Sequence, residues 1–190
     1  KEILHHKCSE AKFDGCLTFV IGENGMDLAM KYGLPANQII KTGNWLGPLL
    51  VAAAENGVKK LLLFGYHGKL IKLSGGIFHT HHHLADGRIE ILTSIAFREG
   101  ISFDLIELIS KSTSVENALL TLEVSNPEAV SLIWSRMAKE IEIKSRSYVN
   151  RYLSSSMEIG SVLFDRKRQM RWAGLEGLKQ INSLGLILKR

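Results

Sequence analysis

The chain has 190 residues, a formal net charge of +5, 45% hydrophobic residues and 23% charged residues. This length suits one domain of ordinary size, and the composition excludes disordered and collagen-like chains. Two cysteines, Cys8 and Cys16, are too few for a disulfide-rich secreted scaffold, so we expect reduced thiols in a cytoplasmic protein. No apolar run approaches the roughly 20 residues of a membrane span, so we expect no membrane partner.

Short apolar runs alternate with helical patterns in the first third of the chain. A helical pattern over residues 1–12 is followed by apolar runs that end at glycine-containing turns. Such runs are typical of parallel strands that are buried on both faces. The pattern predicts strands at residues 16–21, 38–42 and 59–64, with helices at 26–32 and 45–56 between them.

The second half of the chain is mostly helical in pattern. Asn126-Pro127-Glu128 predicts a helix start, because Asn is a good N-cap and Pro suits the first helical position. We predict helices at 86–98, 104–110, 115–122, 126–152 and 174–182, with a strand at 159–164. The fold class is therefore α/β: a mostly parallel sheet flanked by helices with Rossmann-like layering. We expect a single domain over residues 1–190 with a helical insertion at about 101–152.

Small polar loops follow the first three predicted strands, at residues 22–25, 43–44 and 65–69. In open parallel sheets, ligands bind outside the carboxyl ends of the strands. Glycine in these loops lets the backbone approach a ligand closely. Neither the P-loop motif nor the Gly-x-Gly-x-x-Gly dinucleotide motif is present, which argues against phosphoryl transfer and a standard NAD site.

The charge distribution points to an anionic ligand. Residues 56–85 contain four lysines and five histidines but no acidic residue. Lys59 and Lys60 open a strand at the surface, whereas Lys69 and Lys72 follow the glycine-containing strand end. A window with this bias suits a ligand that carries several carboxylates.

Two further clusters leave alternatives open. Residues 79–83 read His-Thr-His-His-His, which favours an anion or acid–base site over a metal site because the usual zinc spacing is missing. We therefore predict no protein-bound metal. Residues 166–168, with Arg171 and Trp172, form a basic patch that is either a solvated turn or a nucleic-acid contact.

Three segments together resemble one family: residues 37–47 (NQIIKTGNWLG), 62–78 (LLFGYHGKLIKLSGGIF), and Thr80-His81 with 85–90 (ADGRIE). They are similar to the CbiD family of cobalt-precorrin-5B C(1)-methyltransferases. The resemblance implies transfer of a methyl group from S-adenosylmethionine to carbon 1 of a cobalt-containing tetrapyrrole. The cobalt would belong to the substrate, and the carboxylates of the macrocycle would match the window that lacks acidic residues.

The resemblance also implies roles for residues at the strand ends. Methyl transfer needs alignment of donor and acceptor, exclusion of water and a base for the departing proton. The candidate bases are His67, His81 and Asp86. The candidate cofactor-binding residues are Gly22, Asn24, Gly43, Asn44, Gly65 and Gly68. The candidate substrate-binding residues are Lys69, Lys72 and Arg88.

The family carries an N-terminal region that this sequence lacks, so we expect the chain to be the C-terminal part of a longer enzyme. If that region completes the site, this chain alone would be inactive. The main alternative is a non-catalytic α/β module that binds a tetrapyrrole or a nucleotide-like ligand. We expect no nucleic-acid partner, and the sequence leaves the oligomeric state open, a homodimer included.

Overall fold

The computed structural model describes residues 1–22, 25–81 and 83–189, which form the predicted α/β fold. The strands are β1 (Cys16–Ile21), β2 (Ile39–Thr42), β3 (Lys60–Tyr66), β4 (Glu158–Phe164) and β5 (Met170–Ala173). The helices are α1 (Glu2–Cys8), α2 (Met26–Lys31), α3 (Leu46–Glu55), α4 (His67–Ser74), α5 (Arg88–Arg98), α6 (Phe103–Ser110), α7 (Val115–Ser125), α8 (Pro127–Val149) and α9 (Leu175–Ser183). No helix in the described part of the chain is both long and apolar enough to cross a membrane.

The strands form one sheet in the order β2-β1-β3-β4-β5. The first four are parallel to one another, and β5 runs antiparallel to β4. The order reverses between β1 and β3, because the chain adds β2 on one side of β1 and β3 on the other. In open α/β sheets this switch point is where a crevice forms and ligands bind.

Helices cover both faces of the sheet, which explains why the strands are apolar throughout. Residues such as Phe19 and Leu63 pack on one face, in a cluster that includes residues of α3, α4, α5 and α8. Their neighbours Val20 and Phe64 pack on the other face, with residues of α2 and α9. The three-layer arrangement confirms the predicted fold class.

The 23-residue helix α8 begins as the sequence predicts. The Asn126 side chain accepts a hydrogen bond from the backbone N–H of Ala129 at 2.9 Å, and Pro127 takes the first helical position. The buried face of α8 includes Ile133, Trp134 and Met137. This helix thereby ties the helical stretch before β4 to the sheet.

A buried carboxylate joins α8, β4 and α9. Glu142 of α8 is 2% exposed. One of its oxygens accepts hydrogen bonds from the backbone N–H groups of Ser161 (3.0 Å) and Gly177 (2.8 Å), and the other accepts from Glu176 (3.1 Å). The last two donors lie in the first turn of α9, whose N–H groups have no partner within the helix. Burial raises the pKa of the Glu142 carboxyl, and the three N–H donors act in the opposite direction.

Three elements depart from the predicted ones. Residues 67–74 form helix α4, where the sequence analysis placed a loop at 65–69, and β5 was not predicted. Gly68 in its first turn is a weak helix former, so packing against the sheet rather than propensity stabilises this segment. Helix α1 ends at Cys8, earlier than the predicted residue 12.

Gly177 is expected to be essential for packing α9 on β4. A Cβ atom there would lie 2.1 Å from the backbone oxygen of Ser161, and a backbone atom cannot rotate away. Gly177→Ala should lower the free energy of unfolding by about 2–3 kcal/mol, in the range of overpacked sites. Urea denaturation of the purified chain measures this. In Gly43→Ala, the new Cβ would have no neighbour within 4 Å, so its change should stay within about 1 kcal/mol. Equal effects of the two changes would contradict the close approach.

Candidate functional site

Two adjoining clefts open at the carboxyl edge of the sheet. The first, named here the hairpin cleft, has a volume of about 510 Å³. It is lined by Ile21, Gly22, Tyr66, Lys69, Phe164, Asp165, Arg166 and Arg168. These residues follow or end β1, β3 and β4, so the cleft coincides with the point where the strand order reverses.

The second cleft, named here the helix cleft, has a volume of about 570 Å³. It is lined by Asn44, Tyr66, Gly68, Lys69, Lys72, Thr80, His81 and Arg88. Tyr66 and Lys69 line both clefts, so their side chains form the boundary between them. The arrangement offers two binding sites that meet at one pair of residues.

Glycines shape the backbone around this boundary. Gly22 has a φ of +94°, in the left-handed region that favours glycine. A Cβ atom on Gly68 would lie 2.6 Å from the ring of Tyr66, so only glycine lets that ring lie against the start of α4. A Cβ atom on Gly65 would meet Leu70 at 3.0 Å. Because Gly65 and Gly68 have no side chains, Tyr66 can pack against the start of α4.

A hydrogen-bonded chain fixes Tyr66 from behind. The Tyr66 hydroxyl donates to Glu116 Oε2 at 2.7 Å, and His67 Nε2 lies 2.9 Å from the same oxygen. Trp134 Nε1–H donates to His67 Nδ1 at 3.1 Å. Because the indole N–H can only donate, the neutral imidazole carries its proton on Nε2 and donates it to Glu116. The bonds from His67 and Tyr66 lower the pKa of Glu116, and burial raises the pKa of Tyr66.

His67 does not reach either cleft. Its side chain is fully buried, and both ring nitrogens have partners in Trp134 and Glu116. The sequence predicts His67 as a base. In the structure its imidazole holds Glu116 in position and, through Glu116, Tyr66.

Lys72 is a buried lysine that holds a loop. It is 2% exposed, and its ammonium group donates to the backbone oxygens of Ala85 and His81, the latter at 3.3 Å. Burial lowers its pKa. The predicted contact between Lys72 and a ligand stays a hypothesis, because these two carbonyl groups already engage the ammonium group at the edge of the helix cleft.

Asp86 and Arg88 form a two-point ion pair at the same loop. Arg88 Nε and Nη2 donate to the two carboxylate oxygens of Asp86 at 2.7 Å and 2.6 Å. The guanidinium lowers the pKa of Asp86 to about 2. A carboxylate this acidic is a weak proton acceptor at neutral pH. Asp86 is therefore placed to orient Arg88 towards the helix cleft.

The histidine-rich loop lies beside the helix cleft. His81 lines the cleft, and its ring lies 5.1 Å from that of His83. His79 packs edge-on against exposed Trp45, with ring centroids 4.4 Å apart. Over residues 1–22, 25–81 and 83–189, no three His, Cys, Asp or Glu side chains are grouped to hold a metal ion.

The remaining predicted residues occupy different positions. Asn44 lines the helix cleft, and its side-chain oxygen accepts a hydrogen bond from the Thr80 hydroxyl at 3.1 Å. Gly43 precedes it at the exposed end of β2. Asn24, predicted to bind cofactor, lies outside the described residues. Since β1 and β3 are neighbours in the sheet, the loops after them contribute to one site.

Three features of the site were not predicted. Glu116 and Trp134 support Tyr66 from α7 and α8, which are distant from it in sequence. The turn after β4 brings Arg166 into the hairpin cleft beside Lys69. The basic run at 166–168 was the available signal for this last feature. The basic run lies beside Lys69 because β4 pairs with β3, and this pairing joins distant parts of the sequence.

Glu116→Gln is expected to destabilise the fold in a pH-dependent way. Hydrogen bonds to a charged group contribute about 1.5–3 kcal/mol, so we expect a loss of about 2 kcal/mol at pH 7. Because the folded-state pKa of Glu116 is lowered from 4.5, its contribution is full above that pH. The contribution disappears as the pH falls through the lowered pKa. Urea denaturation at pH 7 and at pH 3 should therefore show a smaller difference between variant and parent at pH 3.

Glu107→Gln provides the control for this series. Glu107 forms an exposed i,i+4 pair with Lys111 on α6, and exposed pairs contribute about 0.5 kcal/mol or less. A Glu116→Gln loss as small as that of Glu107→Gln would contradict the supporting role of the chain behind Tyr66.

Comparisons with known proteins identify the family. Residues 79–174 match the family model described as CbiD, C-terminal domain. A cobalt-precorrin-5B C(1)-methyltransferase from Prochlorococcus marinus (strain NATL2A) is 99% identical over all 190 residues, which cover 50% of that relative. No solved structure matches the chain.

More distant relatives carry the same name. One from Prochlorococcus marinus (strain MIT 9313) is 54% identical over 97% of this chain and 48% of its own length. One from Synechococcus sp. (strain CC9902) is 53% identical over 87% of this chain and 45% of its own length. The chain thus spans about half the length of the curated relatives it matches. With the family model matching half of its residues, the chain belongs to the CbiD family.

Proposed function

We propose that the protein carrying this chain methylates carbon 1 of cobalt-precorrin-5B in anaerobic cobalamin biosynthesis. The donor is S-adenosylmethionine, and the products are cobalt-precorrin-6A and S-adenosylhomocysteine. A carbon–carbon bond forms at carbon 1, the carbon–sulfur bond of the donor breaks, and a proton leaves the macrocycle. The cobalt ion belongs to the substrate, and the reaction takes place in the cytoplasm.

The observation that supports this proposal most is the pair of clefts that share Tyr66 and Lys69. Methyl transfer requires two bound molecules whose reacting atoms approach in line. Adjoining clefts at the switch point of the sheet suit such a pair. The relatives with similar sequences are named for the same reaction.

The strand-end residues fit a nucleoside that carries a carboxylate. The start of α4 contributes backbone N–H groups that lack helical partners, and Gly68 in this turn lines the helix cleft. We assign cofactor contacts to Gly22, Gly43, Asn44, Gly65 and Gly68, with Gly65 acting through the position of α4. When bound, S-adenosylmethionine supplies an electrophilic methyl group.

The charged residues bind the tetrapyrrole, support the site or accept the departing proton. Lys69 and Arg88 line the clefts and pair with the peripheral carboxylates of the tetrapyrrole. Lys72 and Asp86 support them, by fixing the loop and by orienting Arg88. Of the three predicted bases, His81 is the one that lines either of these two clefts, and we assign the departing proton to it.

The test uses the full-length relative from strain NATL2A, incubated with S-adenosylmethionine and cobalt-precorrin-5B. By mass spectrometry we expect S-adenosylhomocysteine and, in equal amount, a tetrapyrrole heavier by one CH2 unit, because the methyl group replaces the departing proton. Calorimetric titration with S-adenosylhomocysteine separates catalysis from the alternative, a module that only binds a tetrapyrrole. A protein that binds the tetrapyrrole but neither the product nor the donor would favour that alternative.

Lys69→Ala is expected to lower kcat/KM for methyl transfer by about 10- to 100-fold, because it removes a charge-assisted contact at the boundary of both clefts. The matched control is Lys60→Ala, at the start of β3 and therefore at the opposite edge of the sheet from the clefts. That variant should retain kcat/KM within about twofold, because exposed charges far from a ligand are screened by salt. Parallel losses in the two variants would argue against a local contact.

A further inference from the structure

The turn between β4 and β5 is unusually well fixed for a surface loop. The Asp165 backbone N–H donates to the Gln169 oxygen at 3.1 Å, and the Arg168 N–H donates to the Asp165 oxygen at 3.0 Å. The buried Asp165 side chain accepts from the Gln169 N–H at 2.9 Å. Arg168 adopts a φ of 63°, in the left-handed region. The turn therefore presents its side chains in defined directions.

The arginines around this turn differ in whether a carboxylate partner holds them. Arg168 pairs with Asp27 at 2.5 Å, which anchors the turn to α2. Arg171 pairs with Glu123 and lies 3.6 Å from Asp165, while its guanidinium stacks 4.5 Å above the ring of Trp172. These two arginines are thus occupied by neighbouring groups.

Arg166 differs from both. In residues 1–22, 25–81 and 83–189, no hydrogen bond or ion pair joins its guanidinium to another side chain. It lines the hairpin cleft with Lys69, and its charge acts on Tyr66 and Glu116 in the direction that lowers the pKa of each. Arg88 acts on the Tyr66 hydroxyl from the helix cleft. Tyr66 therefore borders two clefts, of which one is lined by Arg166 and the other by Arg88.

We propose that Arg166 binds a peripheral carboxylate of the tetrapyrrole in the hairpin cleft, on the opposite side of Tyr66 from Arg88. The inference rests on the proposed function for the identity of the ligand. The turn fixes the backbone of Arg166 beside the cleft, so anion binding has to order only the arginine side chain. The planar fork of arginine matches a carboxylate with two parallel hydrogen bonds.

The ion pairs of the neighbouring arginines also argue against nucleic acid as the ligand of the basic patch. Arg168 and Arg171 have carboxylate partners, so this turn does not present a continuous row of unpaired cations to a phosphate backbone. A guanidinium in a cleft that Tyr66 and Phe164 also line suits a flat apolar ring with carboxylates at its edge. The macrocycle of the proposed substrate has this character.

The experiment measures affinity for two stable probes in the full-length strain NATL2A relative. Cobyrinic acid is a cobalt corrin with free acetate and propionate side chains, and cobinamide is its amidated counterpart. Arg166→Gln should weaken the binding of cobyrinic acid about tenfold, as expected for loss of a charge-assisted hydrogen bond, and leave cobinamide binding unchanged. The control is Lys167→Gln, which removes the same charge from the adjacent exposed residue of the turn. That variant should stay within about twofold for both probes.

Three outcomes would overturn the inference. They are an unchanged affinity of Arg166→Gln for cobyrinic acid, an equal loss in Lys167→Gln, and failure of the unmodified protein to bind cobyrinic acid. Methyl transfer by the unmodified protein is measured in parallel. Its absence, combined with Arg166-dependent binding, would count against the proposed reaction and leave the carboxylate site standing.

Discussion

The pairing of β3 with β4 is the constraint on which the candidate site depends. These strands are far apart in sequence, yet their parallel register sets Tyr66 directly beside Phe164. Because both strands end at the same edge, the loop after β3 and the basic turn after β4 line one cleft. A shift of one residue would turn every side chain of β4 to the other face and would remove this alignment. The helices that lie between β3 and β4 in the sequence pack against both strands.

Buried and partly buried charged groups stabilise the surroundings of the site through hydrogen bonds to fixed backbone and side-chain groups. Glu142 caps the start of α9, Lys72 holds the carbonyl groups of the histidine-rich loop, and Glu116 joins Tyr66 to α7. A buried charge without partners is strongly unfavourable, so each of these contacts specifies one arrangement of its segment.

The sequence predicts the parts of the fold that depend on local pattern. Apolar runs indicated the strands, and Asn126-Pro127 marked the start of α8, because these signals arise within a few residues. Helix α4 was missed because Gly68 opposes helix formation, and only packing against Tyr66 and the sheet explains its place. Strand β5 was missed because four residues gain strand structure only by pairing with β4.

The candidate site was predicted in outline and not in its internal connections. The glycine-containing strand ends and Lys69 lie at the clefts, as the rule for parallel sheets suggests. The support of Tyr66 by Glu116 and the entry of Arg166 depend on strand order and helix packing. No local pattern encodes such contacts, because each joins residues from segments that meet only in the folded chain.

We propose that the methyl donor and the tetrapyrrole meet at the boundary of the two clefts. A crystal structure of the full-length relative with S-adenosylhomocysteine and a cobalt corrinoid tests it most directly. We expect electron density for both ligands within the hairpin and helix clefts at the carboxyl ends of β1 and β3, each in contact with Tyr66 or Lys69. Density for either ligand at the opposite edge of the sheet, or bound with no contact to this chain, would contradict it.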